Sequence, residues 1–522
     1  MSARTRGRRG TTSLISIAIL GIMTLSGGSF AVGGAAALVT HSPGLQVTAK
    51  PAFTPVFYGK HLPAPQPSPY CNVGSSTSPF DVICYTPEDL KVAYNYPSYL
   101  DGSGQTIVIV DAFGSPTVQS DLNTFDTAFN IPPTTIRIVC QGGVCPVVNT
   151  ADPDQLSWTG EIALDTQYAH AMAPGAHIVL FVATTDDDLT LEEAVLQAVT
   201  MFPHSIISQS FGDPETDMIA GTCFDLTDNP TGDCSPAYVA ETLAVGEKAY
   251  RLATREGTTV FAAAGDWGAD NSGLCSYSGA PSPCPFTSAD AIYPASSPWV
   301  TAVGGTQGDP YYLGAIPSCT GRTCSTGLVN FLNTPSCALN NPVPTGTESC
   351  IPIGYGGEQV WNEQLLDAAT GGAPSLFFGV PSYQHGLGLT ARATPDVSYD
   401  AAISGGVLVY WSVIPSEAGF SFSGGTSCGS PQWAAIAALA DQYAAMHHRG
   451  TIGFINPALY FIGNTPGLYR HDFHDITVGN DTIAGSTIGF SATPGWDDAS
   501  GWGTPNVANL VPDLVALSEG YY

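Results

Sequence analysis

The stretch Gly424-Gly425-Thr426-Ser427-Cys428-Gly429-Ser430-Pro431 places a serine hydroxyl in a glycine-rich turn, and an apolar run from Pro431 to about His447 follows it. This order predicts a tight turn that leads into a helix. Glycines allow the backbone of such a turn to approach a substrate closely, and the free amides of the first helical turn can stabilise a developing oxyanion. The position therefore suits Ser427 as a nucleophile, although a Gly-Gly-Thr-Ser string is also often an ordinary turn.

Two carboxylates lie upstream in the apolar segment Trp158-Thr159-Gly160-Glu161-Ile162-Ala163-Leu164-Asp165. Residues four apart on a helix share a face, so Glu161 and Asp165 can share a hydrogen bond. An arbitrary Glu-x-x-x-Asp pair is usually a solvated helix start, but the apolar neighbours predict that this pair is at least partly buried. None of the ten histidines lies in a His-Gly-Thr-His-like segment. A carboxylate is therefore a stronger candidate for the general base than an imidazole.

These segments resemble the sedolisin family, the serine-carboxyl peptidases. Glu161 and Asp165 match the family's carboxylate pair, and Ser427 lies in its Gly-Thr-Ser-x-x-x-Pro nucleophile signature. A Phe-Ala-Ala-Ala-Gly-Asp-Trp-Gly segment is similar to the one that carries the family's oxyanion-hole aspartate, which assigns that role to Asp266. The resemblance covers roughly residues 86 to 515. The segment with Asp266 is residues 261–268, and the other matching segments are residues 173–176, 293–306 and 395–401.

The resemblance implies an enzyme that hydrolyses peptide bonds through an acyl-enzyme. Ser427 would be the nucleophile, Glu161 the general base and then acid, and Asp165 the group that orients Glu161 and shares its proton. Asp266, when protonated, would donate a hydrogen bond to the oxyanion. A glutamate with a pKa of about 4.3 accepts a proton in acid, where a histidine is already protonated. We therefore expect activity at acidic pH that is lost towards neutral pH.

Two segments near the C-terminus, residues 474–480 and 493–497, match the calcium site of sedolisins. Calcium prefers six or more oxygen ligands, which aspartates and loop carbonyls can supply. An acidic, glycine-rich surface loop is the alternative. His471 and His474, three residues apart, are interpreted as structural because no further His or Cys cluster supports zinc. The resemblance implies Ca²⁺ ligands from the carboxylates of Asp475 and Asp497 and from the backbone carbonyls of Ile476, Thr493 and Gly495, with Thr493 standing where glycine is common.

Twelve of the thirteen cysteines form close sequential couples. We propose that neighbours pair, which gives six local bridges and is typical of an oxidising compartment. Cys428, the odd one, is expected to be a buried thiol that fills a packing slot. The couples are Cys71 with Cys84, Cys140 with Cys145, Cys223 with Cys234, Cys275 with Cys284, Cys319 with Cys324, and Cys337 with Cys350.

The net charge of the chain and its N-terminal apolar segment indicate which partners it has and where in or outside the cell it is located. The chain has 15 Lys+Arg against 44 Asp+Glu, a formal net charge of −29, which argues against a nucleic-acid partner. Arginines followed by the apolar run Leu14 to Leu25 predict a signal peptide within residues 1–40. We therefore expect a secreted, extracellular monomer that acts on protein or peptide substrates, with no stable membrane partner. A cell-surface protein held by this apolar segment, extended through Val39, is the alternative.

Apolar runs alternate with amphipathic stretches, which predicts an α/β fold. We expect a subtilisin-like, mostly parallel sheet flanked by helices, with disulfide-stapled loop insertions, one of them at residues 309–357. Residues 41–85 form a Pro-rich lead-in or short prosegment, and residues 86–522 the peptidase domain with the calcium region. Predicted strands are 106–110, 178–182, 205–208, 259–263, 300–303 and 407–411; predicted helices are 118–129, 157–172, 191–199, 237–254 and 431–447.

Several alternatives remain open on the sequence. Sedolisins usually carry a large folded propeptide, whereas the lead-in here is short. Three explanations stay open: the chain folds without that domain, a partner replaces it, or residues 41–85 perform a reduced version of its role. The activity is that of an endopeptidase or of a tripeptidyl-peptidase. A catalytically silent secreted binding protein on this fold is the alternative from another class. A histidine base, with His170 as its candidate, is a weaker third option.

Overall fold

The computed structural model describes residues 50–51, 70–72, 81–219, 235–271, 288–309, 311, 318–333 and 350–518. All of them belong to the larger of two units, residues 44–522. The other unit, residues 1–43, lies outside the described residues and contains the expected signal peptide. Within the described ranges, no helix combines the length and the apolar character that crossing a bilayer requires.

Helices and strands alternate through most of the described chain. Its α-helices are α1 Pro87–Ala93, α2 Val118–Phe129, α3 Pro153–Met172, α4 Asp188–Met201, α5 Glu215–Ile219, α6 Pro236–Arg255, α7 Thr426–Met446, α8 Asn456–Gly463, α9 Pro466–Asp472 and α10 Val507–Ser518. Its strands are β1 Lys50–Pro51, β2 Tyr70–Asn72, β3 Asp81–Tyr85, β4 Thr106–Ala112, β5 Arg137–Cys140, β6 His177–Ala183, β7 Ile206–Gln209, β8 Phe211–Pro214, β9 Thr259–Ala263, β10 Ile292–Tyr293, β11 Thr301–Gly308, β12 Ser318–Thr320, β13 Thr323–Ser325, β14 Val329–Leu332, β15 Ile351–Tyr355, β16 Glu358–Val360, β17 Asn362–Glu363, β18 Ala368–Ala369, β19 Val397–Asp400, β20 Gly406–Trp411, β21 Gly419–Ser423, β22 Phe473–His474 and β23 Thr504–Pro505.

The central sheet has the strand order β16-β11-β9-β7-β4-β6-β5, and β19 also pairs with β11. Every pairing in it is parallel except that of β11 with β16. Strand β4 is almost wholly apolar and buried, as expected of a parallel strand covered on both faces. The predicted α/β fold with a mostly parallel sheet is confirmed.

Alternate residues of β4 contribute to two different cores. Ile107 and Ile109 belong to the core on the side of α3 and α7, whereas Val108 and Val110 belong to the core on the side of α4 and α6. Side chains alternate between the faces of a strand, so the two helix pairs cover opposite faces of the sheet. The carboxyl ends of the parallel strands meet at one edge of this sandwich, where ligands usually bind.

The predicted start of the last long helix was wrong. Helix α7 begins at Thr426 rather than at Pro431, so Ser427 lies in the first helical turn and not in the turn before it. Gly425 has φ +94°, which ends the extended backbone of β21, and its amide donates to the carbonyl of Ala401 at 2.7 Å. Pro431 lies inside the helix and lacks an amide to donate.

Helix α3 also begins earlier than predicted. It starts at Pro153, and the carboxylate of Asp152 caps it by accepting from the amide of Asp154 at 3.1 Å. An aspartate followed by proline at the first helical position is a typical helix start. The helix is therefore four residues longer at this end than the apolar pattern indicated.

Two of the predicted disulfide couples are confirmed, Cys140–Cys145 and Cys319–Cys324. Cys84 and Cys350 are also disulfide-bonded. The couples Cys223 with Cys234 and Cys275 with Cys284 lie outside the described residues. So do the side chains of Cys71 and Cys337, the expected partners of Cys84 and Cys350. The Cys319–Cys324 bridge joins paired strands β12 and β13 of a four-stranded sheet formed by β12 to β15, within the predicted insertion. Cys428 is a buried free thiol, as expected.

Candidate active site

The side chain of Ser427 lies at the carboxyl edge of the central sheet. Its neighbour Thr426 donates from both its amide and its hydroxyl to Asp266 Oδ1, each at 2.7 Å, and the Thr426 hydroxyl accepts from the amide of Gly265 at 3.0 Å. The first turn of α7 is thus joined to the loop that follows β9. A second contact, Ser208 Oγ to Ser430 Oγ at 2.9 Å, joins α7 to β7. Together these bonds hold the nucleophile candidate at the sheet edge.

Helix α3 presents Glu161 and Asp165 to this edge from inside the protein, and both side chains are fully buried. Its orientation is held by side-chain bonds to β20. Trp411 Nε1 donates to the hydroxyl of Thr159 at 2.9 Å, and the Tyr168 hydroxyl donates to the carbonyl of Leu408 at 3.0 Å. The expectation that the carboxylate pair is partly buried is confirmed, because α3 packs between β20 and α7.

Burial raises the pKa of Glu161 well above its usual range, and repulsion from Asp165 raises it further. The nearby Ser427 hydroxyl acts in the opposite direction. Burial likewise raises the pKa of Asp165, and the hydroxyl of Ser210 opposes that rise. Among the described residues, the side chains of Glu161, Asp165, Ser210 and Ser427 have no hydrogen-bond partner within 3.5 Å. The ordinary glutamate pKa therefore does not apply to Glu161, because the carboxylate has lost its hydration.

Asp266 follows β9 and is fully buried. Burial raises its pKa to about 7, although the Thr426 hydroxyl and amide act against the rise. While Oδ1 accepts both bonds from Thr426, Oδ2 has no partner among the described residues. Below that pKa the carboxyl carries a proton, and Oδ2 is the oxygen free to donate it. The geometry suits the oxyanion-hole role that the sequence assigned to this residue.

Asp111 is a fourth buried carboxylate at this site, and the sequence analysis missed it. It is the penultimate residue of β4, with no exposed surface, and neither carboxylate oxygen has a partner in the described part of the chain. Burial raises its pKa to about 8, and its charge raises the pKa values of both Glu161 and Asp165. An acidic residue near the carboxyl end of a strongly apolar strand was the signal that could have revealed it.

His170, the candidate histidine base, and His177 both have other surroundings. His170 Nε2 lies 2.9 Å from the carbonyl of Pro132 and 3.5 Å from Asp126 Oδ1. His177 is exposed and begins β6, at the edge of the sheet opposite the carboxylates. Neither position supports a histidine base for Ser427.

Asp396, in the matching segment 395–401, has a structural role in this fold. Asp396 pairs with the guanidinium of Arg392, and both side chains are fully buried. Asp396 also accepts from the amide of Ala302 at 2.8 Å and from the hydroxyl of Tyr460 at 2.7 Å. The pair thereby joins β11 to α8.

The five predicted calcium ligands lie on two segments that the fold brings together. The Asp475 carboxylate accepts from the Tyr469 hydroxyl at 2.7 Å and from the amide of Gly495 at 3.1 Å. Asp497 accepts from the amide of Thr493 at 2.6 Å and from Ser500 at 2.8 Å. Among the described residues, no donor is bonded to the carbonyls of Ile476, Thr493 or Gly495. Two carboxylates beside three free carbonyls are oxygen donors of the kind calcium requires.

The two neighbouring histidines do not share a site. His471 Nδ1 contacts Asp472 Oδ1 at 2.7 Å, with Asp513 nearby, whereas His474 stacks on the ring of Tyr355 with centroids 3.7 Å apart. Burial lowers the pKa of His474 to about 4. The structural interpretation of these histidines is consistent with these contacts.

Known proteins resemble this chain in sequence and in fold. No family model matches it. Kumamolisin of Bacillus sp. (strain MN-32) is 29% identical over 452 residues, 83% of this chain and 64% of that protein. Tripeptidyl-peptidase 1 of Rattus norvegicus is 28% identical over 363 residues, 68% of this chain and 52% of that protein. The chain therefore spans less than two thirds of the length of these relatives.

A solved structure shares the fold. Pseudomonas sedolisin, a serine-carboxyl proteinase complexed with two molecules of pseudo-iodotyrostatin, superposes with a TM-score of 0.60 at 24% identity, over 84% of this chain and 99% of that one. At this identity the superposition establishes the architecture of the sheet and helices.

Proposed function

Because this chain belongs to the sedolisin family and has its subtilisin-like fold, we propose that it is a serine-carboxyl endopeptidase. The observation that carries the proposal is the convergence of four buried groups from separate parts of the chain. Glu161 and Asp165 come from α3, Asp266 from the loop after β9 and Ser427 from α7. A hydroxyl beside a carboxylate base, with an uncommitted carboxyl oxygen on the next loop, is the constellation that acyl transfer requires.

In the proposed mechanism, Ser427 Oγ attacks the carbonyl carbon of the scissile peptide while Glu161 takes the hydroxyl proton. The protonated Asp266 donates to the oxyanion of the tetrahedral intermediate. Glu161 returns its proton to the leaving amine, and water then hydrolyses the acyl-enzyme with Glu161 again as base. Asp165 shares the proton of Glu161, since two adjacent buried carboxyls do not both ionise readily.

This mechanism requires Glu161 ionised and Asp266 protonated at the same pH. Activity is therefore lost as pH rises through the pKa of Asp266, which is about 7. On the acid side, activity is lost as the buried cluster of Glu161, Asp165 and Asp111 takes up the proton that prevents Glu161 from acting as a base, and burial raises the pKa of all three groups. We therefore propose an enzyme that works in moderately acidic solution.

Hydrolysis of casein between pH 3 and 6 tests the function, with Ser427→Ala and Cys428→Ser compared with the wild type. We expect Ser427→Ala to lower kcat by at least about 10⁴-fold, because the nucleophile is lost. The neighbouring Cys428→Ser retains the nucleophile and should keep most of the activity, which excludes the thiol as the attacking group. Absence of hydrolysis by both proteins would favour the silent binding protein instead, and equal measurable rates would contradict Ser427 as the nucleophile.

A tripeptidyl-peptidase is the second candidate activity, supported by the relative that carries this name. The two activities differ in whether they need a free N-terminus. A peptide substrate with an acetylated N-terminus is cleaved by an endopeptidase and spared by a tripeptidyl-peptidase. Comparison of the acetylated and free forms of one peptide therefore separates them.

We further propose that Asp475 and Asp497, with the carbonyls of Ile476, Thr493 and Gly495, hold a calcium ion. The ion would join the segment after β22 to the loop before Asp497 and stabilise this part of the fold. The proposed role is structural, since these residues are distinct from the catalytic group. We also propose secretion of a monomer that acts on protein or peptide substrates, for which the two disulfides offer support.

A further inference from the structure

A histidine and two aspartates lie together where helix α9 ends beside helix α10. His471 and Asp472 are the last two residues of α9, and Asp513 lies within α10. One side-chain ligand atom from each of the three lies within 4.8 Å of the other two. Atoms that bind one zinc ion at about 2.0–2.2 Å are at most about 4.4 Å apart, so a small movement brings all three into range. Imidazole nitrogen and carboxylate oxygen are both zinc ligands in proteins.

Hydrogen bonds to the backbone hold the two helices together at this point. The carbonyl of His471 accepts from Asn509 Nδ2, and the carbonyl of Asp472 accepts from the amide of Asn506, each at 2.7 Å. These contacts place the three side chains without using their own ligand atoms. An ion that binds to such a preformed arrangement orders little of the chain, which favours affinity.

One carboxylate oxygen of Asp472 lacks a partner. The side chain of Asp472 has no exposed surface. Its Oδ1 lies 2.7 Å from His471 Nδ1, whereas Oδ2 is buried and has no hydrogen-bond partner in the part of the chain that the structure describes. A buried polar atom without a partner costs free energy, and a cation beside Oδ2 would remove that cost.

The local charges also favour a cation. The carboxyl groups of Asp472 and Asp513 are close enough for their negative charges to repel each other, in a chain with a formal net charge of −29. Asp472 also lies at the C-terminal end of α9, where the helix dipole disfavours a negative charge. The side chain of His471 is 58% exposed. An ion and its water ligands can therefore reach the cluster from solution.

We propose that His471, Asp472 and Asp513 bind a divalent transition-metal ion of the zinc type, with water completing its shell. The ion fastens α9 to α10, and α10 packs against α7, the helix that carries Ser427. The site differs from the proposed calcium site in its chemistry, because calcium and magnesium prefer oxygen ligands whereas this cluster includes an imidazole. Its role is structural, and binding is independent of the proposed peptidase function.

Zinc titration of the full chain without an affinity tag tests this site. Protein stripped with EDTA is returned to pH 7.5, where the ligands are deprotonated, in millimolar calcium that fills the proposed calcium site. We expect calorimetry to give one zinc ion per chain, and about 100 μM zinc to raise Tm by a few degrees. Magnesium at the same concentration should leave Tm unchanged.

Variants identify the ligands. Asp513→Asn and His471→Ala should each weaken zinc binding at least about 10-fold, since loss of even an outer-shell partner costs that much. His448→Ala is the matched control, because His448 is an exposed histidine outside the cluster, and it should bind zinc as the wild type does. Asp475→Asn should lose part of the response to calcium and keep the response to zinc.

Two results would overturn the zinc site. One is a wild-type Tm that zinc does not change, which leaves a hydrogen-bonded His471–Asp472 pair beside a second carboxyl. The other is zinc binding that both Asp513→Asn and His471→Ala retain at full strength, which places the ion elsewhere. If Asp513→Asn does not fold, His471→Ala decides the question, because the His471 side chain is largely exposed.

Discussion

At the residue scale, the two oxygens of Asp266 have different roles. Oδ1 is held by the amide and hydroxyl of Thr426, whereas Oδ2 has no partner among the described residues. Burial raises the pKa of the group to about 7, so the carboxyl is protonated in acid and can donate from Oδ2. One side chain thereby fixes the first turn of α7 and supplies a candidate oxyanion donor.

Asp266→Asn should remove the alkaline limb of the pH profile. The amide keeps an acceptor for Thr426 and a donor at the second position, but it does not titrate. We expect kcat to fall by less than about 10²-fold, because a donor remains, while the loss of kcat/KM near pH 7 disappears. Asp266→Ala, which removes the donor, should lower kcat by about 10² to 10³-fold. An alkaline limb unchanged in Asp266→Asn would show that another group sets it.

At the element scale, the turn after β19 supports the start of α7. The carbonyl of Ala401 accepts the amide of Gly425 at 2.7 Å. Glu363 holds this turn by accepting from the amides of Ile403 and Ser404 at 2.6 and 2.9 Å, and also from Trp361 Nε1 at 2.8 Å. A buried carboxylate in β17 thus supports, through the turn, the glycine that precedes the nucleophile's helix.

Glu363→Gln should therefore affect turnover more than substrate binding. The amide group of glutamine faces donors, which leaves at least one buried donor unpaired at a cost of about 1–3 kcal/mol. We expect kcat to fall about 10-fold with KM nearly unchanged, together with a lower Tm. Glu417→Gln is the matched control, because Glu417 is exposed, and it should behave as wild type. A changed KM with normal kcat would contradict this positioning role.

The two segments of the proposed calcium site make a second prediction at this scale. Asp475→Asn removes one charged oxygen ligand, so added calcium should raise the Tm of the wild type by several degrees and that of the variant by less. Thermal unfolding in EDTA and in millimolar calcium measures the difference, and magnesium serves as the control ion. Equal Tm values of the wild type in EDTA and calcium would count against the site.

At the scale of the whole molecule, many carboxylates are buried in a chain with a formal net charge of −29. In six of the carboxyl groups, burial is the largest cause of a pKa raised to about 7 or 8 in the folded protein, above the unfolded value near 4. These groups and their pKa values are Asp111, Glu192 and Asp217 at about 8, and Asp266, Asp290 and Asp441 at about 7.

The protein should therefore be more stable in acid than at neutral pH. Between about pH 4 and 8 the folded state holds protons on these groups that the unfolded state has released, so the free energy of unfolding falls as pH rises. We expect Tm at pH 5 to exceed that at pH 8 by at least about 5 °C. The difference should persist in 0.5 M NaCl, which screens surface repulsion but not burial. A Tm that is flat or rises with pH would refute it.

The sequence by itself determined features that depend on local order along the chain. The spacing of Glu161 and Asp165 on one helix, the glycine turn before Ser427, the alternation of strands and helices and the Cys140–Cys145 couple all involve residues close in sequence. Local periodicity and turn chemistry encode such features, because neighbouring residues share one element.

Only the tertiary structure decided which distant groups meet and how they titrate. Asp111 joins the carboxylates because parallel strands β4, β7 and β9 align their carboxyl ends at one edge. The raised pKa of Glu161 results from burial by elements far apart in sequence. The pairing of Lys50–Pro51 with β8 likewise depends on how the chain closes on itself. Contacts and dielectric environment are properties of the packed molecule, so no local pattern in the sequence carries them.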